Sequence, residues 1–372
     1  MKIIVSGGGT GGHIYPALTL IRTIQKKVAD TEFLYVGTRQ GLESDIIPKE
    51  NIPFFALDLA GGFERHFTLA NIKRAANAII SVKKAVNIVK TFKPDVVVGT
   101  GGYVCGPILL AASLEKVPTL IQEQNVVAGI TNKILSKFVT KIAVGCEGAL
   151  NHFPKDKTVY TGNPIRAEVL QGNREEGLKY FNFDDDKPVV LISGGSRGAR
   201  SINRAMVDIL VKAADNPAIQ YLHVTGKVEY DDIITRLKDA GIDTNTLKHI
   251  RIEPYLYNMP QAMAMADLII TRAGATTLAE LTARGIPSIL IPYPYAAENH
   301  QEYNAKALVD AGAARMILNK DLTSELLQKN INELLTNIDT LKAMSAASLS
   351  LGRPQAAEEI AELILQLSNI DK

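Results

Sequence analysis

Two stretches of this chain repeat one local design. Ile3-Ile4-Val5 runs into Gly7-Gly8-Gly9-Thr10-Gly11-Gly12-His13, and a helix-compatible segment from Pro16 to Lys27 follows. Far downstream, Val189-Val190-Leu191-Ile192-Ser193 runs into Gly194-Gly195-Ser196-Arg197-Gly198-Ala199-Arg200, again followed by a helical pattern. A strand, a glycine turn and a helix start together form an anion-binding device. Glycine lets backbone approach a phosphate closely, and the helix N-terminus offers N–H groups and a partial positive charge. Two such devices predict two similar α/β domains that face one phosphorylated ligand.

A length of 372 residues also favours two domains over one. Short apolar runs alternate with longer helical patterns. The predicted strands are Lys2–Ser6, Glu32–Val36, Phe54–Leu57, Val96–Gly99, Thr119–Ile121 and Ile142–Val144, then Val189–Ser193, Tyr221–Val224, Ile250–Ile252, Leu268–Thr271, Ser288–Ile291 and Arg315–Leu318. Continuous β-branched runs imply strands buried on both faces, hence parallel doubly wound sheets. Val159 to Arg166 carries Gly162 and Pro164 and reads as the crossing between domains. The expected division is 1–162 and 163–352, with a final helix in 353–372 that joins the first domain.

Composition excludes several classes. The net charge of +2 does not point to nucleic acid as a partner. Two cysteines, Cys105 and Cys146, make no disulfide framework and read as reduced, buried thiols. The N-terminus has no signal-peptide pattern, and no apolar run reaches the ~18 residues of a membrane span, so any membrane contact is expected to be peripheral. There is no His-Glu-x-x-His, no paired-cysteine motif and no Asp-x-Asp at a strand end, so no metal is expected. No Gly-x-Ser-x-Gly elbow supports a serine hydrolase.

Gly7-x-Gly9-x-x-Gly12 matches the dinucleotide fingerprint, yet a nicotinamide enzyme also places an acid after its second strand. Here that place reads Gly37-Thr38-Arg39, which leaves only an NADP-type reading through Arg39. A third glycine loop, Gly99-Thr100-Gly101-Gly102-Tyr103, follows Val96-Val97-Val98, and Gln122-Glu123-Gln124-Asn125 follows the next strand. Ligands of open parallel sheets bind beyond the strands' carboxyl ends, so these loops should share a rim. His13, beside the first loop, is the residue type best suited to accept a proton near neutral pH. In the second half, Ala275-Thr276-Thr277 open a helix after Leu268–Thr271, which suits a diphosphate. Glu280 lies one turn further on and can clamp a ribose diol. The amides of Gln301 and Asn304 suit reading of sugar hydroxyls.

Arg65 to Pro94 contains no acidic residue. Ile72, Ala76, Ile79, Val82, Val86 and Val89 are expected to form its core stripe. Ile80 and Ile88 then fall beside Lys73 and Lys84, which suggests a face resting on an anionic bilayer.

Taken together, these motifs resemble a known family. Gly-Gly-Gly-Thr-Gly-Gly-His at 7–13, Gly-Gly-Tyr at 101–103, Gln-Asn at 124–125, Gly-Asn-Pro-Ile-Arg at 162–166, Gly-Gly-Ser-x-Gly-Ala-Arg at 194–200 and Arg-x-Gly-Ala at 272–275 are similar to those of the bacterial N-acetylglucosaminyltransferases of peptidoglycan synthesis. The resemblance spans nearly the whole chain. It implies two Rossmann-like domains with an interdomain cleft, the glycosyltransferase B architecture, working at the cytoplasmic face of the membrane beside other cell-wall synthesis proteins. It implies inverting transfer of GlcNAc from UDP-GlcNAc to the 4-hydroxyl of undecaprenyl-diphosphoryl-MurNAc-pentapeptide, with no tightly bound cofactor. By position, it places Leu256 at uracil, Glu280 at ribose, and Ser196, Ala275, Thr276 and Thr277 at the diphosphate. Arg272 lies beside the nucleotide, and Gln301 and Asn304 at the sugar. Thr10, Gly11, Gly12, Asn125 and Arg166 complete the donor set, while Gly101, Gly102 and Tyr103 fall on the acceptor side. His13 is the expected base and Glu123 its fallback. Gln122 stands where many members have histidine, so that position cannot act as a base here. Arg197 replaces a common glutamine. Another lipid acceptor, or UDP-GlcNAc epimerisation on the same fold, are the alternatives.

Overall fold

The computed structural model describes residues 1–58, 69–195 and 198–368, with backbone alone over 69–79. The chain divides into two compact units, Met1–Ile165 with Arg353–Lys372, and Arg166–Gly352. The first unit runs β1 (Lys2–Ser6), α1 (Gly11–Lys27), β2 (Glu32–Thr38), α2 (Glu43–Lys49), β3 (Phe54–Leu57), α3 (Leu69–Phe92), β4 (Val96–Gly99), α4 (Cys105–Leu114), β5 (Thr119–Glu123), α5 (Ile130–Leu135), β6 (Lys141–Val144) and β7 (Thr158–Tyr160). The second runs α6 (Ala167–Gln171), α7 (Arg174–Phe181), β8 (Val189–Ser193), α8 (Arg200–Ala213), β9 (Gln220–Val224), α9 (Tyr230–Asp239), β10 (Ile250–Glu253), α10 (Met259–Met265), β11 (Leu268–Thr271), α11 (Ala275–Arg284), β12 (Ser288–Leu290), α12 (His300–Asp310), β13 (Ala314–Met316), α13 (Ser324–Thr336) and α14 (Ile338–Ser350). A last helix, α15 (Ala356–Ser368), returns to the first unit.

Both sheets are parallel throughout, with strand orders β3-β2-β1-β4-β5-β6-β7 and β10-β9-β8-β11-β12-β13. The β-branched runs follow from burial on two faces. Ile3 and Val5 pack with Ile14, Ile21 and Ile24 of α1 and Ile360 and Ile364 of α15. Ile4, between them in sequence, packs oppositely with Ile108, Leu109 and Ile121. In β8, Val190 and Ile192 meet Met206, Ile209 and Leu210, whereas Val189 and Leu191 meet Phe181 and Leu281. Alternating side chains thus serve two apolar layers.

The twelve expected strands all form, with ends shifted by a residue or two. β7 is the addition. It pairs with β6 at the sheet edge inside the stretch read as a crossing, and its three residues are half-exposed. Cys105 is buried, while Cys146 is only half-buried.

Candidate active site

In each sheet the chain reverses its direction of strand addition beside the first strand. β1 has β2 on one side and β4 on the other; β8 has β9 and β11. The segments leaving β1, β4, β8 and β11 are the four glycine-bearing ones: 7–12, 99–106, the described ends 194–195 and 198–199 of the third, and 272–274. Each unit therefore brings two of them to its topological switch point, where open α/β sheets bind ligands.

The helices that start at these turns are open at their N-termini. Thr10, Val104, Ala199 and Gly274 occupy the N-cap positions of α1, α4, α8 and α11, and none supplies a capping side-chain hydrogen bond. The starts of α2, α5, α6, α9, α10 and α12 also lack a side-chain cap, whereas three other helices have one. Asn173, Thr323 and Asn337 accept from the first turns of α7, α13 and α14. What sets the four glycine turns apart is their place at the switch points, where uncapped first-turn N–H groups suit an anionic ligand.

In the first unit the two turns are bonded together. The Gly8 N–H donates to the Gly101 carbonyl at 3.3 Å, and Thr100 Oγ1 donates to the His13 carbonyl at 2.7 Å. His13 Nδ1 lies 2.8 Å from the Gly8 carbonyl oxygen. A carbonyl only accepts, so Nδ1 carries the proton and the neutral ring keeps its lone pair on Nε2. Gly101 and Gly102, at φ +109° and +84°, make this close approach possible. A Cβ on Gly101 would sit 2.7 Å from His13 Cδ2, and one on Gly102 would sit 2.5 Å from the Gly8 oxygen. Beneath lies a buried amide ladder. Gln122 Nε2 donates to Asn163 Oδ1 at 2.9 Å, and Asn163 Nδ2 donates to the Gln124 carbonyl at 2.9 Å. Gln124 Nε2 donates to the Thr100 carbonyl at 2.6 Å and to Gln122 Oε1.

In the second unit, Arg166 donates through Nε and Nη2 to Glu280 Oε1 at 3.0 and 2.9 Å. Burial pushes the Glu280 carboxyl up from its usual range, and Arg166 pulls it back. No described residue donates to Oε2. In the first turn of α11, the Thr276 hydroxyl is buried without a hydrogen-bond partner. Arg272 is engaged on every side. It donates to the Ile291 and Pro292 carbonyls, to Asn319 Oδ1 at 2.8 Å and to Ser201 Oγ at 3.0 Å, and its guanidinium lies over the Tyr293 ring. Among the described residues, no group of His, Cys, Asp and Glu is placed to hold a metal ion.

Residues 3–144 match the glycosyltransferase family 28 N-terminal domain, and residues 189–362 match its C-terminal domain. The chain is 49% identical, over 98% of both chains, to the Desulforamulus reducens protein named UDP-N-acetylglucosamine–N-acetylmuramyl-(pentapeptide) pyrophosphoryl-undecaprenol N-acetylglucosamine transferase. It is 48% identical, over 99% of both, to the Bacillus cytotoxicus protein of the same name. The chain belongs to glycosyltransferase family 28. A crystal structure of Acinetobacter baumannii MurG matches with a TM-score of 0.78 at 28% identity, covering 98% of this chain and 99% of that one. The fold is accordingly the two-domain glycosyltransferase B architecture, and the chain is a UDP-sugar-dependent glycosyltransferase.

Within this family 28 enzyme the expected residues divide by environment. Thr10, Gly11, Gly12, His13, Gly101, Gly102 and Tyr103 lie at the first unit's switch point, with Tyr103 37% exposed. Ala275, Thr276, Thr277 and Glu280 lie on the first turns of α11. Leu256 follows β10 and is largely buried. Gln301 Oε1 accepts from the Tyr293 N–H at 2.9 Å, so it braces the loop after β12. Asn304 is buried, and its Nδ2 donates to the Ala273 carbonyl at 3.3 Å. Ser196 and Arg197 lie outside the described residues, as does the side chain of Lys73.

Two expectations change, and Arg272 gains a structural role. Glu123 is no exposed base: it is 2% exposed, Oε1 accepts from the Asn125 N–H and Nδ2, and Oε2 from the Gly129 N–H and Asn132 Nδ2. Four donors make it the organiser of the 125–132 turn. Ile88 does not face outward. The described buried stripe of α3 is Ser81, Ala85, Ile88 and Val89, with Ile88 8% exposed, while Ile80 is 53% exposed. Lys84 pairs with Asp58 at 2.9 Å. Arg272 acts as a brace joining the loops after β11, β12 and β13 to α8, a role its neighbours Ser201 and Asn319 did not advertise in sequence.

Proposed function

We propose that this glycosyltransferase moves GlcNAc from UDP-GlcNAc to the 4-hydroxyl of undecaprenyl-diphosphoryl-MurNAc-pentapeptide, inverting the anomeric carbon. The observation that carries this reading is the second unit's switch point. An uncapped helix start, a buried unpartnered Thr276 hydroxyl and a buried Glu280 with one engaged oxygen sit within two turns of one another. These suit a nucleoside diphosphate: N–H groups and the hydroxyl for phosphate, the carboxylate for ribose. The names of the Desulforamulus and Bacillus relatives support the same donor and acceptor.

As UDP leaves, negative charge grows on the β-phosphate, and the N-termini of α11 and α8 stabilise it. His13 Nε2 takes the proton of the attacking hydroxyl, a step typically worth ~10²–10⁴-fold.

We place the enzyme peripherally on the cytoplasmic membrane face. No described helix is long and apolar enough to cross a membrane. Ile130, Ile134 and Phe138, spaced four apart, are 61%, 59% and 53% exposed, and Leu114 is 62% exposed. Lys116, Lys133 and Lys137 are exposed beside them in sequence. Phe138 and Lys116 line one shallow groove with Ser113 and Pro118. Exposed apolar residues with exposed lysines beside them in sequence suit an anionic bilayer surface better than α3 alone does.

The test is UDP release from UDP-GlcNAc with and without the lipid-linked muramyl-pentapeptide. Release that requires the acceptor and yields a disaccharide-bearing lipid is expected. Formation of the 2-epimer without acceptor, or release with no disaccharide, refutes the reading.

A further inference from the structure

Glu43, the first residue of α2, has no part in the site as read from the sequence. It is fully buried, and no cation among the described residues pairs with it. A buried carboxylate without a counter-charge costs several kcal/mol unless donors surround it. Here Oε1 accepts from the Thr38 N–H at 3.0 Å and from Thr38 Oγ1 at 2.8 Å. Oε2 accepts from the Gly9 N–H at 3.0 Å. Three glycines make room for it. A Cβ on Gly8, Gly37 or Gly41 would come within 2.5, 2.6 and 2.1 Å of Glu43 side-chain atoms.

The Gly9 N–H and the Gly8 carbonyl belong to one peptide unit. That amide is planar and rigid. One of its edges donates to Glu43, and the other accepts from His13 Nδ1 at 2.8 Å. We propose that Glu43 is a positioning residue that acts through the Gly8–Gly9 peptide on His13. The carboxylate fixes the peptide plane and polarises it. A polarised carbonyl holds Nδ1–H more strongly, which locks the ring in the tautomer with its lone pair on Nε2. The arrangement is a carboxylate–imidazole pair with a peptide inserted between the two groups. It rests on the proposed role of His13 in glycosyl transfer.

Glu43→Gln tests this with little change of volume. The carboxamide has one oxygen, so keeping the Thr38 bonds turns an NH2 toward the Gly9 N–H and breaks only that link. Thr38→Val is the control: it removes the hydroxyl donor at the other oxygen and leaves the Gly9 link. Acceptor-dependent UDP release, UDP affinity by calorimetry and thermal melting are measured for both variants and the parent chain. The ring nitrogens of ¹⁵N-histidine-labelled protein are followed by NMR, with His13→Gln used to assign the signal. Glu43→Gln should lower kcat at least about tenfold, with UDP affinity retained and the His13 signal moved from a single tautomer to a mixture. Thr38→Val should leave both kcat and tautomer near the parent. An unchanged His13 signal in Glu43→Gln overturns the proposal, as does an equal loss of kcat in both variants. The tautomer readout needs no turnover. An inactive parent chain would instead count against the glycosyl-transfer reading.

Discussion

Glu280 gives the sharpest quantitative test. Arg166 spends two donors on Oε1, at 3.0 and 2.9 Å, and no described residue donates to Oε2. A ribose hydroxyl that donates to this charged oxygen contributes ~1.5–3 kcal/mol, against ~0.5–1.5 for a neutral acceptor. Glu280→Gln should therefore weaken UDP by about 1–1.5 kcal/mol, and Glu280→Ala by ~1.5–3. At 1.4 kcal/mol per factor of ten, these are roughly fivefold to tenfold and tenfold to 150-fold losses. Side-chain exposure of 37% lets Arg166 turn to water once its partner is gone, so the fold should tolerate both changes. Titration calorimetry with UDP and 2′-deoxy-UDP completes a cycle. The parent chain should lose affinity for 2′-deoxy-UDP, and Glu280→Ala should not discriminate the two ligands. If the variant still distinguishes them as strongly as the parent does, Glu280 does not hold the 2′-hydroxyl.

Three further outcomes are expected. Asparagine can donate to the Gly8 carbonyl as Nδ1 does but has no Nε2 lone pair, so His13→Asn should cut kcat ~10²–10⁴-fold with UDP affinity kept; near-parent turnover would remove His13 as the base. Burial lowers the pKa of His223 from 6.5 to about 3 while its Nε2 contacts Asn203 Oδ1 at 3.0 Å. Because the folded value lies below the unfolded one, its stabilisation is complete above pH 6.5 and is lost as pH falls toward 3, at up to ~1.4 kcal/mol per pH unit; urea melts at pH 7, 6 and 5 should show this slope diminished in His223→Gln, and an identical slope would exclude His223 as its source. Ile134→Glu with Phe138→Glu should lower sedimentation with anionic vesicles while acting on no UDP contact; an unchanged bound fraction would remove this face.

The fold was legible because both faces of each central strand are apolar, which forces uninterrupted runs such as Ile3-Ile4-Val5 and Val96-Val97-Val98. β7 was not, since three half-exposed edge residues carry no such run. The phase of α3 misled for a related reason. Apolar residues occur around its whole circumference, so periodicity could not choose between Val82, Val86 and the true stripe through Ala85 and Ile88. At the site, glycine turns and the helix starts after them announce themselves locally. Glu123 was found, but only its four donors reveal that it organises a turn. Glu43 left no local trace, because its partners Thr38 and Gly9 come from two other segments and only folding brings them together.

The return of α15 to the first unit sets an order of assembly. Residues 166–352 form a contiguous insertion and can close as soon as they leave the ribosome. The earlier unit cannot, because Ile360, Ala361 and Ile364 are the missing wall of the layer that holds Ile3, Val5 and Ile14. At ~5–20 residues per second, synthesis of the insertion alone leaves that layer open for on the order of ten to forty seconds. The part of the chain made first thus matures last. A nascent or C-terminally shortened chain offers chaperones and proteases the apolar flank of α1, while residues 166–352 are already shut.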